Sequence, residues 1–426
     1  MEPLQPPHII QMRLGIIADD LTGAAELAGV AWRYGLEAEI DTAAGEQEPD
    51  GHHRDRGGTA LCGERSGAGI SLRPNSVKLP DVVVIDTDSR LASEAEAARR
   101  VALAGAALKC GDAGWIYKKV DSVLRGNVLA EVQAAMSAHS LSRVLLVPAN
   151  PGLGRTICAG MYFVHNTPIH RTDFLNDPHH PRKSPLVLEM LGAGAQDPVH
   201  VRRVGYGISE EGVTIGEAQS REDLATWAKC VDRSVLAAGG AEFFTAVLES
   251  RGYEPDPGAR APHGSAAGRM LLISGSCCLR ATTFLEHCRG VGYPVLSMPR
   301  DLEQGAIDLR PAISRWAEAA IAQFSYSSKV VLAIDRPLTR EMNLAGGWGD
   351  CLVRAAELII KAVPLDHLGV EGGATAAKLV STMQWRRLRV VRELSPGVVT
   401  VRPEAAALEV TMKPGSYSWP EYFVQV

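Results

Sequence analysis

The stretch R13-LGIIADDLTGAAELAG-V30 decides the fold. An apolar run, Leu14 to Ala18, ends in two adjacent carboxylates, Asp19 and Asp20. Leu-Thr-Gly and a run of small helix formers follow. A continuous apolar run is the mark of a strand buried on both faces, as in a parallel sheet. The same alternation continues along the chain. Strands are expected at Leu14–Ala18, Val82–Asp86, Trp115–Lys118, Val144–Val147, Met270–Ser274 and Val330–Ile334. Helices are expected at Ala24–Tyr34, Ser93–Lys109, Val128–His139, Ser220–Leu236, Arg280–Arg289, Pro311–Phe324 and Thr375–Met383. This order predicts an α/β fold of two domains, each a largely parallel sheet flanked by helices, with a cleft between them.

A chain of 426 residues exceeds one ordinary core. Residues 41–80 are rich in Gly, charge and His without a period, which reads as a mobile surface excursion. His52 and His53 within it suit a solvated role better than a metal. Residues 251–267 are rich in Pro, Gly and Ala and read as a linker. The domains expected are therefore 12–250 and 268–426, with Met12 directly before the first strand.

The apolar fraction is 46% and the net charge −5, which argues against nucleic acid or an anionic membrane as main partner. No run approaches the ~20 apolar residues of a membrane helix, and the N-terminus is not a secretory signal. The eight cysteines (62, 110, 158, 230, 277, 278, 288 and 351) show no C-x-x-C pair or metal spacing. Reduced thiols and a cytoplasmic location are expected. A homo-oligomer is allowed.

Asp19 and Asp20 fall where parallel folds put chemistry, beyond the carboxyl end of a strand. One of them could simply cap the next helix. A cap does not explain the pair; one of the two could act as general base or hold a metal, with the other orienting it. Three more strand ends carry charged and hydroxyl residues. VVVIDTDSR (82–90) brings Asp86, Asp88, Ser89 and Arg90; WIYKKVDSVLRGNV (115–128) brings Lys118, Lys119, Asp121, Ser122 and Arg125. VLLVPANPGLGRTICAG (144–160) brings Asn150, Gly154, Arg155 and Thr156. Arginine forks match carboxylate or phosphate, and hydroxyls match sugar hydroxyls. A small polyhydroxy acid suits such a rim. The second half has LLISGSCCLRATTF (271–284), GVEGGATAAKLV (369–380) and EVTMKPGSYSWPE (409–421). Small residues before helix starts let a backbone approach phosphates. None of the three is a Walker A or a G-x-G-x-x-G motif.

In order along the chain, IADDLTGA (17–24), DSR (88–90), KKVDSVLRGN (118–127), VPANPGLGRT (147–156), SGSCCLRAT (274–282), GGATAA (372–377), PGV (396–398) and KPGS (413–416) resemble the four-carbon acid sugar kinase family. The resemblance implies an ATP- and Mg²⁺-dependent kinase that phosphorylates the C4 hydroxyl of a tetronate or 3-oxo-tetronate. It implies an N-terminal domain for the acid sugar and a C-terminal domain for ATP. Carried onto this chain, Asp19, Asp20 and Arg125 are the catalytic candidates, with the choice of base between the two aspartates open. Ser89, Arg90, Lys119, Asp121, Ser122 and Arg155 would bind the acid sugar. Ser274, Gly275, Ser276, Gly372, Gly373, Ala374, Thr375, Lys413 and Gly415 would line the nucleotide. The chain departs from the family at Val123, Asn150, Ala374 and Ser418, where Thr, an aromatic or apolar residue, Glu and Gly are usual. These departures bear on substrate identity and nucleotide affinity, and keep open a catalytically silent sensor of acid sugar or nucleotide. A haloacid-dehalogenase reading of Asp-Asp-Leu-Thr fails on spacing, because adjacent residues of an extended chain point to opposite sides. A nicotinamide-dependent dehydrogenase lacks its glycine motif.

Overall fold

The computed structural model describes residues 13–42, 80–111, 113–177, 179–194, 197–260, 268–276, 279–302, 308–336, 345–415, 417–420 and 423. Most of the 41–80 excursion and the end of the linker lie outside these residues, as do Met12, Cys62, Cys277, Cys278 and Ser416. The chain forms two compact units. The first holds residues up to Asp19 and Ala43–Val247. The second holds Asp20–Thr42 and Leu248–Val426. The second unit therefore takes in the first helix and the strand after it.

The N-terminal unit is built on seven parallel strands in the order Val82–Asp86, Arg13–Ala18, Ala113–Lys119, Val235–Gly239, Arg143–Val147, Gly212–Gly216 and Val199–Arg202. Val84, Ile16, Tyr117, Leu145 and Ala237 are fully buried, as the apolar runs require. Helices Glu94–Cys110 and Val128–Ala138 pack on this sheet through Val101, Leu108, Val132 and Ala135. Ser93 caps the first of them. A small antiparallel sheet of Arg155–Cys158, Met161–Val164 and Thr167–Pro168 is inserted after the Arg143–Val147 strand.

The expected helix Ser220–Leu236 is shorter than its sequence pattern suggests. It spans Arg221–Ala228, with a Ser220–Asp223 capping box, and Val235–Gly239 is a central strand. Leu224, Ala225, Ala228 and Leu236 are good helix formers. Burial of Leu236, Ala237 and Ala238 between two strands overrides that preference.

The C-terminal unit carries a mixed sheet. Val295–Ser297, Lys329–Ala333, Met270–Ser274, His367–Glu371 and Glu409–Lys413 are parallel. Val398–Pro403, Arg387–Ser395 and Ala38–Asp41 extend it with antiparallel pairing. The helix Leu21–Arg33 packs on this extension, where Gly29 lets Val399 and Glu393 approach closely. Leu272, Val331, Leu285, Trp419 and Phe423 fill a core, with the Trp419 and Phe423 rings stacked 4.7 Å apart.

Both units share one topological property. The strand Arg13–Ala18 has Val82–Asp86 on one side and Ala113–Lys119 on the other. Met270–Ser274 likewise lies between Lys329–Ala333 and His367–Glu371. The chain reverses its winding at these strands, which opens a crevice beyond their carboxyl ends. Asp19 stands at the first such position and Ser274 at the second. Among the described residues no helix is long and apolar enough to cross a membrane, and Cys110, Cys158, Cys230, Cys288 and Cys351 are free.

Candidate functional site

Register brings the charged residues of the N-terminal unit to one rim. Ala18 pairs with Asp86, and Ile17 with Lys118. Gly239 pairs with both Lys119 and Val147. Residues following these positions leave the sheet at one level.

Asp19 is 3% exposed. Its Oδ2 accepts from Arg90 Nε at 2.7 Å, while Oδ1 is buried without a partner. Burial alone would raise this carboxyl, but the Arg90, Lys118 and Lys119 charges outweigh it and hold Asp19 below its usual value. Beneath lies a buried pair: Lys118 Nζ meets Glu131 Oε2 at 2.8 Å. Ser89 Oγ donates to Glu131 Oε1 at 2.8 Å and shares a hydrogen bond with Thr87 at 2.7 Å. Ser89, expected at the substrate, is fully buried in this network. Burial raises the Glu131 carboxyl against the pull of Lys118.

Asp20 is placed differently. It is the N-cap of Leu21–Arg33, and its Oδ1 accepts the Gly23 N–H at 2.8 Å. Its Oδ2 accepts from Thr22 Oγ1 at 2.7 Å. The paired carboxylates thus divide: Asp19 joins the N-terminal rim and Asp20 fastens the first helix of the C-terminal unit.

Asp121 opens the next loop. Arg125 grips it with Nη2 to Oδ1 at 2.8 Å and Nε to Oδ2 at 3.0 Å. Asp121 also accepts the backbone N–H groups of Val123 and Arg125. Burial would raise Asp121, and Arg125 drives it well below the carboxylate range instead. This tight turn puts the fully buried Leu124 at φ +63°, a strained value for a branched side chain of the kind functional loops retain. Arg155 donates to Ser122 Oγ and lies 5.6 Å over the Phe174 ring. Tyr162 donates to the Ser122 carbonyl, and Lys119 Nζ to the Val120 carbonyl at 3.0 Å. Asn150 Oδ1 is buried without a partner.

The structure therefore gathers Asp19, Arg90, Lys119, Asp121, Ser122, Arg125 and Arg155 on elements of one unit. It adds residues the sequence reading missed. Asp177 Oδ2 accepts from Arg125 at 3.3 Å, and His180 Nε2 lies 3.2 Å from the Arg90 carbonyl. Their segment follows the inserted small sheet and has no periodic signal. The only trace in the sequence is the cluster of polar residues and prolines at 177–182.

The C-terminal unit collects three turns. Gly275 follows the Met270–Ser274 strand, Gly372 and Gly373 start the helix Gly373–Thr382, and Gly415 follows Lys413. A Cβ on Gly275 would overlap Thr375 Oγ1. One on Gly415 would meet Ser276 Oγ at 3.0 Å. Gly372, at φ +104°, is an N-cap without a side chain to satisfy the helix start. The first N–H groups of that helix, those of Gly373, Ala374 and Thr375, have no intrahelical acceptor. Ala374 is exposed there. Thr22 Oγ1 is the atom nearest a Cβ on Gly373, at 3.0 Å. Such a cradle suits phosphate oxygens.

Lys413 lies behind these turns. It is 1% exposed, and its Nζ donates to Glu371 Oε1 at 2.6 Å and to the Tyr417 carbonyl at 2.8 Å. Ser274 Oγ donates to the other oxygen of Glu371 at 2.8 Å. Lys413 and Ser274 therefore tie three strand ends together, and Glu371 is the missed residue at their centre. Among the described residues no group of three or more His, Cys, Asp or Glu side chains is placed to hold a metal ion.

These two rims define a two-domain α/β protein with one oxyacid-type rim and one phosphate-type cradle. The family description "Sugar-binding N-terminal domain" matches residues 14–247, and "Nucleotide-binding C-terminal domain" matches 271–417. The chain belongs to this family. A D-threonate kinase of Cupriavidus necator is 28% identical over 94% of each chain. A 3-oxo-tetronate kinase of the same organism is 24% identical over 96% of this chain and 95% of that one. A D-threonate kinase of Salmonella typhimurium is 29% identical over 50% of this chain and 47% of its own. A solved Haemophilus influenzae protein superposes with a TM-score of 0.66 over 96% of this chain and 98% of that one, at 19% identity. At that identity the likeness is one of fold.

Proposed function

We propose that the protein is an ATP-dependent kinase that phosphorylates the terminal C4 hydroxyl of a four-carbon acid sugar, a tetronate or 3-oxo-tetronate. The observation that carries this reading is Asp19 Oδ1. It is a buried carboxylate oxygen with no partner, on a rim rich in arginine, and its other oxygen is fixed by Arg90. An acceptor hydroxyl is the group such an oxygen lacks. Asp19 orients that hydroxyl and takes its proton as the phosphoryl group transfers. A carboxyl held below its usual value is a weak base, which suits a reaction driven by positioning and charge neutralisation. Lys119 and Arg155 bring positive charge to the same rim.

Asp20 is committed to its helix cap, so Asp19 is the better candidate for the base. The N–H groups of Gly373, Ala374 and Thr375 would hold nucleotide phosphates, with Ser276 and Gly415 beside them. ATP brings Mg²⁺, which neutralises phosphate charge. Magnesium is usually held by one or two carboxylates, phosphates and water, so it requires no cluster of protein ligands. The full-length relatives, named as D-threonate and 3-oxo-tetronate kinases, support the substrate class.

The test is ADP release with Mg-ATP across D-threonate, D-erythronate and 3-oxo-tetronates, with phosphorus NMR to locate the new ester. Turnover on one acid with phosphate at C4 is expected. Tight ATP binding without ADP release from any of them would favour a silent sensor.

A further inference from the structure

The cations on the N-terminal rim are largely neutralised from within. Arg90 faces Asp19, Lys118 faces Glu131, and Arg125 faces Asp121 and Asp177. Arg182 is an exception. It is 7% exposed, and its guanidinium pairs with no carboxylate among the described residues. One Nη donates to the Met190 carbonyl at 3.2 Å, and Nε is buried without an acceptor.

The turn that carries Arg182 is fastened to the rim. Asp177 Oδ1 accepts the N–H groups of His179 and His180 at 3.1 and 2.8 Å, while Oδ2 meets Arg125. His180 reaches the Arg90 carbonyl. The Arg182 N–H donates to the carbonyl of Phe174, whose ring lies under Arg155. Burial disfavours the Arg182 charge, Asp121 and Asp177 attract it and Arg125 repels it, so the guanidinium stands in the field of the same cluster. A buried donor without an acceptor is costly, and more so on a charged group. A planar anion can satisfy Nε and an Nη together.

We infer that Arg182 is a specificity-determining residue that takes the carboxylate of the acid sugar. This rests on the kinase reading above. Arg90 and Arg125 then position the aspartates, and Arg182 reads the acid.

The experiment compares the full-length wild type with Arg182→Gln and Arg182→Lys. Binding of D-threonate, D-erythronate and a 3-oxo-tetronate is measured by calorimetry, with kcat and both KM values and melting without ligand. Arg182→Gln is expected to weaken the bound acid about tenfold to a hundredfold, the range of a charge-assisted hydrogen bond. The loss is expected in acid-sugar binding and in the acid-sugar KM, with the KM for ATP close to wild type. Arg182→Lys, which keeps charge but loses the fork, recovers part of the affinity. An unchanged acid-sugar KM in Arg182→Gln overturns the inference, as does an equal loss for ATP. If Arg182→Gln does not fold, Arg182→Lys decides: weaker acid binding supports the assignment and unchanged binding overturns it. A wild type that binds none of the three acids overturns the kinase reading and this inference together. A wild type that binds one, with both variants unchanged, overturns only the inference.

Discussion

Arg90 Nε lies 2.7 Å from Asp19 Oδ2, while the Asp19 carbonyl accepts the backbone N–H groups of Ser89 and Arg90 at 3.0 and 3.2 Å. The aspartate is held by side chain and backbone from one loop, and only Oδ1 is left over. Asp19→Asn keeps an oxygen for Arg90 and loses the proton acceptor. Turnover should fall by about 10²- to 10⁴-fold, the range of a positioned general base, with ATP affinity maintained. Steady-state kinetics on the acid that the wild type phosphorylates checks this. A rate within threefold of wild type would remove Asp19 from the chemistry.

Asp20 answers to a different test. As an N-cap it accepts the Gly23 N–H, and asparagine caps about as well as aspartate. Asp20→Asn should unfold at the wild-type urea midpoint. Asp20→Ala should lose about 1 kcal/mol. Equal stability of the two variants would show that the cap contributes nothing.

The Lys118–Glu131 pair is 0% and 2% exposed at its side chains. Breaking a buried pair from one side costs about 3–5 kcal/mol. Glu131→Leu alone should be strongly destabilising. Lys118→Met with Glu131→Leu should recover most of that loss while impairing catalysis, because Lys118, after Arg90, adds to the charge that lowers Asp19. A double-mutant cycle in urea measures the coupling, and strict additivity would contradict it.

Gly275→Ala places a methyl on Thr375 Oγ1. On the proposed nucleotide site, affinity should drop at least about tenfold, because the methyl displaces the helix start proposed to hold the phosphates. Binding of the acid sugar should be preserved. Calorimetry with an ATP analogue reads the first and with D-threonate the second.

Two buried groups of the C-terminal unit set opposite pH slopes. Burial pushes Glu393 up to about 7, against the attraction of Arg33 and with repulsion from Glu26. Burial pulls His367 down to about 4, although Glu409 favours its charged form. Between about 4.5 and 7 the folded chain holds the Glu393 proton and the unfolded chain releases it, so stability falls as pH rises. Between about 4 and 6.5 the unfolded chain protonates His367 and the folded chain does not, so stability rises with pH. The slopes nearly cancel up to about pH 6.5, above which only the Glu393 decline continues. Glu393→Gln should uncover the His367 slope and be more stable than wild type at pH 8. Urea midpoints from pH 4 to 8 test it, and parallel curves for the two proteins would refute the assignment.

Strand ends were the most legible part of the sequence. Val82–Asp86 and Met270–Ser274 have the bounds that their apolar runs suggested. The polar residues after them mark the rims because parallel strands bury everything else. Val235–Gly239 was hidden, since alanine and glycine carry no β signal and only its neighbours make it a strand. Asp177, His180 and Arg182 were hidden for another reason. They come together through a turn fixed by long-range hydrogen bonds, and such bonds leave no period in the chain. Ser89 and Lys413 were found by motif, yet both face inward. A motif names a residue but not the direction of its side chain.

The placement of residues 20–42 with the C-terminal unit has a genetic consequence. The nucleotide-binding half is not a contiguous cassette. Recombination at the linker would transplant 268–426 without its helix Leu21–Arg33, and would strip the strand Arg387–Ser395 of its partner Ala38–Asp41. A bare strand edge invites aggregation. The two halves are therefore expected to be inherited and exchanged together, however plainly the linker invites a cut.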